Sequence, residues 1–527
     1  MDLADLIRAL TDPSAYLHPV EGVEVRQTHI SVVLLAGSFA YKIKKPVELG
    51  FLDFSSLEKR RHFCEEEVRL NRRLAPDVYL GVVPVTRRDR RVQLEGEGEV
   101  IEWAVKMQRL PDEATLQSRL QRGEVGGEVV EALARKIASF HAQAESGPRI
   151  AAFGRFEVVA GNARENFEQS AAHVGTTVSN AVFLRVQALT EAALAHHRFL
   201  IERRAEHGVP RDTHGDLRLS HVYHFPDRKP PGDLVVIDCI EFNERFRFAD
   251  PVADMAFLVM GLKVQGHRDL AQVFTEAYFR ASGDIEGRAL VPFYTAYRAA
   301  VRGKVEGLKL ARPEMPEAER ATALAKARGS WLLGLGELEE PSRRPCLVLV
   351  GGLPGTGKST LARGLVERAG FCLIRSDVVR KELAGLPGPV PAASGSCLYS
   401  PEWTEQTYAE CLRRAEALLF EGKRVVVDAS FREEKRRRAF LETAARWGVP
   451  GTFLLCRADP ETVRQRLMTR RDDASDADWS IYQMVAANWE APGPSTRTVV
   501  REIACEGSEE QMLSRGLEAL RLLGLHT

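Results

Sequence analysis

A chain of 527 residues is too long for one ordinary hydrophobic core, so two or three domains are expected. Its 73 lysines and arginines balance 73 aspartates and glutamates, which removes any ground for generalised binding to nucleic acid or to an anionic membrane. The eight cysteines include no C-x-x-C pair, which argues against a structural zinc site or a disulfide framework. They read as small core residues of a reducing cytoplasm. The N-terminal stretch MDLADLIRALTDPSAY is acidic and amphipathic, and no run of about 18 apolar residues occurs, so a cytoplasmic chain without a membrane partner is expected.

In chain order, short β-like runs cover Val23–His29, Ser31–Leu35 and Phe39–Lys44, with Gly37-Ser38 as a tight turn. Lys42 and Lys44 lie two apart on the last of these, so they share a face and either could reach a phosphate beneath the turn. The spacing Ser55-x-x-Glu58 predicts a capping box that opens a helix to about Leu74. Glu67 falls on the face of that helix that carries Phe63, Leu70 and Leu74. An acid there wants a cation, and a lysine of the preceding strand is the natural partner. Glu66 is the alternative, and a solvated Glu-Glu-Glu run is the bland one.

After Pro84 a charged hairpin, Arg87–Val100, leads into a strand Glu102–Gln108 and the turn Arg109-Leu110-Pro111. A helix follows over about Val129–Gln143, and Arg164–Glu206 is mainly helical. A strand lysine paired to a helix glutamate is how kinase-like lobes hold nucleotide phosphates. In such a two-lobed kinase the turn at Arg109 is the hinge whose backbone bonds adenine.

The stretch Thr213–Tyr223, THGDLRLSHVY, precedes a strand Leu234–Ile237 and then Asp238-Cys239-Ile240-Glu241. His214-Gly215-Asp216 resembles the catalytic loop of the aminoglycoside phosphotransferase and choline kinase-like group, relatives of the protein kinases. Ile237-Asp238 resembles that group's metal-binding aspartate, and Phe248–Ala256 resembles its G-D-P-x-x-D-L-A helix start. The resemblance spans roughly residues 23 to 300. It implies that Asp216 accepts the proton of an acceptor hydroxyl, that Asp238 holds Mg²⁺, that His214 braces the loop, and that Asp250 and Asp254 support the fold. Where the group has a metal-binding asparagine five residues after the catalytic aspartate, this chain has His221, a softer ligand. The turn at Gly37 also lacks a G-x-G-x-x-G pattern. Both departures leave a non-catalytic first lobe open.

Helical stretches Ala271–Arg280 and Pro292–Leu310 and a further helix to about Glu339 end at a short stiff linker, Pro341–Pro345. Next comes CLVLVGGLPGTGKST, Cys346–Thr360, in which Gly352–Ser359 fits G-x-x-x-x-G-K-[ST] between an apolar strand and a helix. Gly352, Gly355 and Gly357 let the loop turn its N–H groups towards an anion, joined by those of Thr356 and Thr360 at the helix start. Lys358 reaches the β- and γ-phosphates, and Ser359 offers a hydroxyl to Mg²⁺.

Asp377, after the second strand Leu373–Arg375, sits where ligands bind an open α/β sheet. It is a base for an acceptor hydroxyl, with Arg380 fixing a substrate anion, or simply a helix N-cap. Gly385–Ser400 reads as a loop over the acceptor and Thr404–Phe420 as a helix. Arg424–Asp428 is a buried strand that ends in a Walker B-type acid, with Ser430 and Arg432 at the substrate edge. Lys435–Arg438 reads as a solvated basic run. After a strand Thr452–Cys456, the helix Asp459–Arg471 carries Arg464, Arg466, Arg470 and Arg471, an arginine-bearing lid in which Arg470 is the best placed to meet a transferring phosphate. These features resemble the small P-loop kinases: gluconate kinase, chloramphenicol phosphotransferase, zeta-toxin-like kinases and polynucleotide 5′-kinases. The whole chain resembles bacterial fusions of a phosphotransferase-like domain with an AAA-type kinase.

The expected fold therefore combines α+β and α/β domains. Residues 1–340 form a two-lobed protein-kinase-like domain, with an N-lobe over about 23–108, a C-lobe over about 112–310 and a helical joint. Residues 341–345 are the linker and 346–527 a P-loop domain with a parallel sheet flanked by helices. The expected activity is transfer of phosphate from ATP, with Mg²⁺, to a hydroxyl of a sugar or aminoglycoside-like small molecule. A polynucleotide or nucleotide 5′-kinase and a nucleotide-gated binding protein are the alternatives.

Overall fold

The computed structural model describes residues 1–50, 52–89, 91–311, 315–385, 400–469 and 478–527. Contacts divide it into two compact units. The first comprises Met1–Ala160, His197–Leu262 and Arg268–Val291, and the second Gly161–His196, Lys263–His267 and Pro292–Thr527.

In the first unit, strands rich in β-branched and aromatic residues build an antiparallel six-stranded sheet. Its order is Val23–Gln27, Ser31–Ala36, Phe39–Lys44, Glu99–Gln108, Tyr79–Arg88, Arg91–Leu94. Side-chain alternation sorts the central strand. Tyr41 and Ile43 face a core closed by Leu6, Leu10 and Tyr16, while Ala40 faces the other side with Cys64 and Val68 of the helix Leu57–Asn71. Lys42 and Lys44 therefore point towards that helix.

The helix starts one residue later than the capping-box spacing predicts. Ser55 Oγ is held by the Asp53 carboxylate at 2.6 Å, so Ser56 accepts the Lys59 N–H instead. The strand Tyr79–Arg88 runs through Pro84. Pro84 is tolerated because the pairing with Arg91–Leu94 starts only at Val85. Further on, a short antiparallel pair, Val222–His224 with Leu234–Val236, brings the His214–Asp216 turn and Asp238 to the same end.

In the second unit five parallel strands lie in the order Cys372–Arg375, Arg424–Asp428, Cys346–Gly351, Gly451–Arg457, Val500–Ala504. The glycine loop follows the central strand, so it opens at the carboxyl edge of the sheet between two neighbours. One face packs Val348, Val350, Leu454 and Cys456 against Leu361 and Leu365 of the helix Lys358–Ala369 and Met512 and Leu520 of Glu509–Leu522. On the opposite face, Leu347, Leu349, Val425, Val427 and Phe453 belong to a core that also holds Phe167, Val182, Phe183, Trp331 and Leu335.

The compact units thus do not divide at the Pro341–Pro345 linker. Trp331 sits between Phe167 and Phe183, with ring centroids 6.0 and 5.8 Å away, and Arg185 makes two bonds of 2.7 and 2.8 Å to Glu339. Segments 161–196 and 292–345 pack as part of the P-loop unit because their apolar faces complete its sheet. Among the described residues no helix is long and apolar enough to cross a membrane.

Candidate active sites

The loop after Cys346–Gly351 is shaped by glycines that no other residue replaces without strain. Gly352 has φ +141°, and a Cβ there would stand 2.5 Å from the Cys456 carbonyl oxygen. Gly357, at φ +99°, is the N-cap of the helix Lys358–Ala369, so the loop ends at a helix N-terminus, the end whose N–H groups favour an anion. Thr356 Oγ1 and Lys358 Nζ each donate to the Leu353 carbonyl, both at 2.8 Å, which folds the loop over itself. Ser359 Oγ donates to Asp428 Oδ2 at 2.7 Å, and Arg375 Nε donates to the same oxygen at 3.2 Å. A hydroxyl and a carboxylate side by side at the phosphate end of a loop are the hard oxygen donors that Mg²⁺ takes.

One cavity of about 920 Å³ collects these groups: Gly355, Gly357, Lys358, Ser359, Thr360 and Asp428 line it. So do the predicted acceptor residues Asp377, Arg380, Ser430 and Arg432. Asp377 is not a helix N-cap: Arg375 takes that position and Asp377 lies in the first turn of Ser376–Leu383. Burial and the nearby Asp428 raise its pKa against the opposing pull of Arg380, Lys358 and Arg375, which gives the carboxylate affinity for a proton. Arg380 Nη1 donates to Thr404 Oγ1 at 3.3 Å. Ser430 Oγ lies 3.2 Å from the Tyr408 hydroxyl, and Arg432 pairs with Glu433 at 3.3 Å.

Sequence reasoning missed several members of this wall. Thr404 and Tyr408 come from the helix Pro401–Phe420, and their spacing of four on one helical face is a signal that could have found them. Cys505 and Ser508, beyond the last strand, flank the loop and carry no local signature. Arg437 is buried rather than solvated: it donates to the Phe431 and Arg432 carbonyls at 2.7 and 2.6 Å and so holds the turn beside Ser430. Of the lid arginines, Arg466 lines the cavity and donates to the Cys505 carbonyl at 2.7 Å. Arg470 and Arg471 lie outside the described residues, as do residues 386–399 of the loop Gly385–Ser400 predicted over the acceptor.

In the first unit Glu67 takes both lysines. Its Oε1 is 2.8 Å from Lys42 Nζ and its Oε2 2.8 Å from Lys44 Nζ, whereas Glu66 bonds Arg69. Glu67 is 0% and Lys44 1% exposed. Lys42 also reaches Asp238 Oδ1 at 2.8 Å, and Lys44 also pairs with Glu241, an acid that was not singled out in the sequence. Burial penalises the charge on Glu67, but the two ammonium groups outweigh it and hold its pKa down. Burial wins at Glu241, whose pKa is raised. Asp238 is 40% exposed and has a left-handed backbone, φ +66°. Lys42 above all, with Arg218, overcomes its desolvation and keeps it ionised.

Asp216 accepts Arg218 Nη2 at 2.8 Å. Arg218 also donates to His221 Nε2 at 2.6 Å, which leaves Nδ1–H of the imidazole to donate to the Asp216 carbonyl at 3.0 Å. Burial, reinforced by Arg218, lowers the His221 pKa to about 4, so the ring is neutral at neutral pH. His221 Nε2 lies 3.4 Å from Asp238 Oδ2. The predicted metal residues are thus neighbours, but among the described residues no group of three or more His, Cys, Asp or Glu is arranged to hold a metal. Asp254 receives the His214 and Gly215 N–H groups at 3.0 and 2.9 Å, and Asp250 bonds Arg204 at 2.7 Å.

Residues 347–492 match a family described as an AAA domain. Human adenylate kinase isoenzyme 1 is 26% identical over 188 residues, which is 34% of this chain and 95% of that enzyme. A gluconokinase structure from Sinorhizobium meliloti aligns over 34% of this chain and 93% of its own, at 18% identity and a TM-score of 0.26. The uncharacterised protein Rv2004c of Mycobacterium tuberculosis is 33% identical over 502 residues, covering 93% of this chain and 97% of that one. The second unit is therefore built on a P-loop domain, and over nearly its whole length the chain belongs to the family of the mycobacterial protein Rv2004c.

Proposed function

We propose that the second unit is a kinase that moves the γ-phosphate of ATP to a hydroxyl of a small molecule, a sugar or an aminoglycoside-like compound. The observation that carries this reading is Asp377, a carboxylate of raised pKa that shares one cavity with Lys358 and the Ser359–Asp428 pair. Phosphoryl transfer asks a protein mostly to position its reactants and to neutralise charge. The loop N–H groups and Lys358 hold the phosphates. Asp377 takes the proton of the acceptor hydroxyl, and Arg380 orients the acceptor. Ser359 and Asp428 would hold Mg²⁺, which supplies charge neutralisation when bound. The similarity to adenylate kinase isoenzyme 1 supports a phosphotransferase over a motor.

The test is Asp377→Asn, which keeps the shape and removes the base. The catalytic rate should fall by about 10²–10⁴, with nucleotide affinity unchanged. In the parent, activity should fall with acid around a pKa above the ordinary carboxylate value, because protonated Asp377 cannot accept a proton. The variant should lose that limb. A variant with parental turnover would remove Asp377 from the reaction.

For the first unit we propose a protein-kinase-like lobe of the aminoglycoside phosphotransferase type, supported by the Lys42–Glu67 pair and the His214–Asp216 turn. One observation favours a nucleotide-gated lobe that transfers no phosphate: Arg218 sits on the Asp216 carboxylate, and His221 stands where an oxygen-rich metal ligand would be needed. Transfer to any acceptor that is lost in Asp216→Ala would reject the gated form.

A further inference from the structure

Three arginines, Arg380, Arg432 and Arg436, line the P-loop cavity together with Asp377. Arg436 belongs to the run Lys435–Arg438, which reads in the sequence as solvated, yet it is only 8% exposed and Arg380 only 6%. Both are anchored to the helix Pro401–Phe420. Arg380 Nη1 donates to Thr404 Oγ1 at 3.3 Å, and the Arg436 guanidinium carbon stands 4.4 Å from the centre of the Tyr408 ring. Thr404 and Tyr408 are one helical turn apart on one face. The Tyr408 hydroxyl is fixed in turn, by Ser430 Oγ at 3.2 Å and by the Phe431 N–H at 3.2 Å.

Few carboxylates stand against these charges. Glu433 is shared, at 3.3 Å from Arg432, 3.3 Å from Lys435 and 3.2 Å from Arg436. Arg436 also meets Glu405 at 3.4 Å, but that acid is 69% exposed and outside the cavity lining, where an ion pair is worth little. Asp428 is engaged by Ser359 and Arg375. The helix Trp479–Ala487 contributes only apolar side chains to the lining: Ile481, Met484 and Val485. The stretch 386–399, predicted over the acceptor, has no Asp, Glu, Lys or Arg in its sequence, so it brings no charge of either sign. The wall around Asp377 therefore carries an excess of positive charge, held in place and partly shielded from water.

We propose that Arg380 and Arg436 form an oxyanion subsite, and that the acceptor carries a carboxylate or a phosphate beside the hydroxyl it presents to Asp377. The inference rests on the reading of this cavity as a kinase site, and it narrows the acceptor to a sugar acid or a sugar phosphate. A guanidinium offers parallel N–H donors that match either oxyanion, and burial strengthens such bonds. A cationic acceptor meets like charge there, so an aminoglycoside is disfavoured. The anion also sets the register of the acceptor. With its charge held by the arginines, one hydroxyl of several is turned to Asp377.

The P-loop is first filled with Mg²⁺ and a non-hydrolysable ATP analogue, so that a phosphate probe does not report on it. The full chain is then titrated by calorimetry, at constant ionic strength, with inorganic phosphate, with acetate, and with glucose, glucosamine, glucuronate and glucose 6-phosphate. Phosphate or acetate should bind, and so should the hexose that carries the same group, whereas glucosamine should not. Phosphate against acetate decides which oxyanion the subsite takes. Arg436→Gln should bind the analogue as the parent does, and the preferred anion about ten- to a hundredfold more weakly, the worth of charge-assisted hydrogen bonds. Arg436→Lys, which restores the charge without the forked donors, should fall between the two. The proposal would be overturned if neither phosphate nor acetate bound, if glucosamine bound as tightly as the anions, or if Arg436→Gln held the anion like the parent. A parent that binds no analogue would instead count against the kinase reading, and the comparison of parent with variant in phosphate would still decide the arginine pair.

Discussion

Lys44→Met separates the two strand lysines, because the charge network gives them different work. Lys42 is the partly open one and touches Asp238, whereas Lys44 is closed in by Glu67, Glu241 and the Phe54 ring 5.0 Å from its ammonium. Removing one partner of a buried pair costs about 3–5 kcal/mol, because the other charge is left without compensation. Here Glu241 already leans towards its neutral form, so taking up a proton relieves part of that cost. The loss should lie near the lower end, about 3 kcal/mol, or roughly a hundredfold in the local opening constant.

Hydrogen exchange of peptides over Phe39–Lys44 and Leu57–Asn71, corrected for intrinsic rates, reads that constant. The sign with pH is fixed. The orphaned carboxyl binds a proton more tightly folded than unfolded, so the variant's deficit should shrink on acidification and grow as pH rises. A deficit below about 0.5 kcal/mol, or one that grows in acid, would refute a cooperative buried network.

Gly352→Ala should lower nucleotide affinity strongly, because a Cβ at φ +141° collides with the Cys456 carbonyl; a parental ADP-induced rise in melting temperature would contradict this. A fragment of residues 341–527 should aggregate or bind hydrophobic dyes, since it lacks the Phe183 and Trp331 side chains that complete one face of its sheet. A monodisperse fragment that binds ADP like the full chain would show that those helices are dispensable. Arg218→Ala should remove the guanidinium from the Asp216 carboxylate and raise the His221 pKa, since Arg218 is among the groups lowering it. An unchanged imidazole titration by NMR would contradict that.

What the sequence reveals here is chemistry that is local in the chain. The glycine loop, its strand and its helix are contiguous, and the Lys42–Glu67 pairing follows from two periodicities meeting, since both lysines face a helix that carries an acid inward. Glu241 escaped notice because only the third dimension brings it beneath Lys44. Tyr408, Arg466 and Cys505 reach one cavity from three distant segments, so no spacing rule links them. How the contacts group the chain into units is hidden from the sequence for a related reason. An amphipathic helix announces that it buries a face, but not against which sheet, and the helices carrying Phe183 and Trp331 chose the P-loop sheet. Ser56 displaced Ser55 as the cap through a competing bond to Asp53, a side-chain choice invisible to the motif.

The central claim is that the P-loop cavity transfers phosphate. It is tested most directly with γ-labelled ATP and a panel of sugars, aminoglycosides, nucleosides and 5′-hydroxyl oligonucleotides, using the intact chain, Lys358→Ala and Asp216→Ala. The account predicts one labelled acceptor that is lost with Lys358→Ala and kept with Asp216→Ala. Full labelling in Lys358→Ala would contradict it.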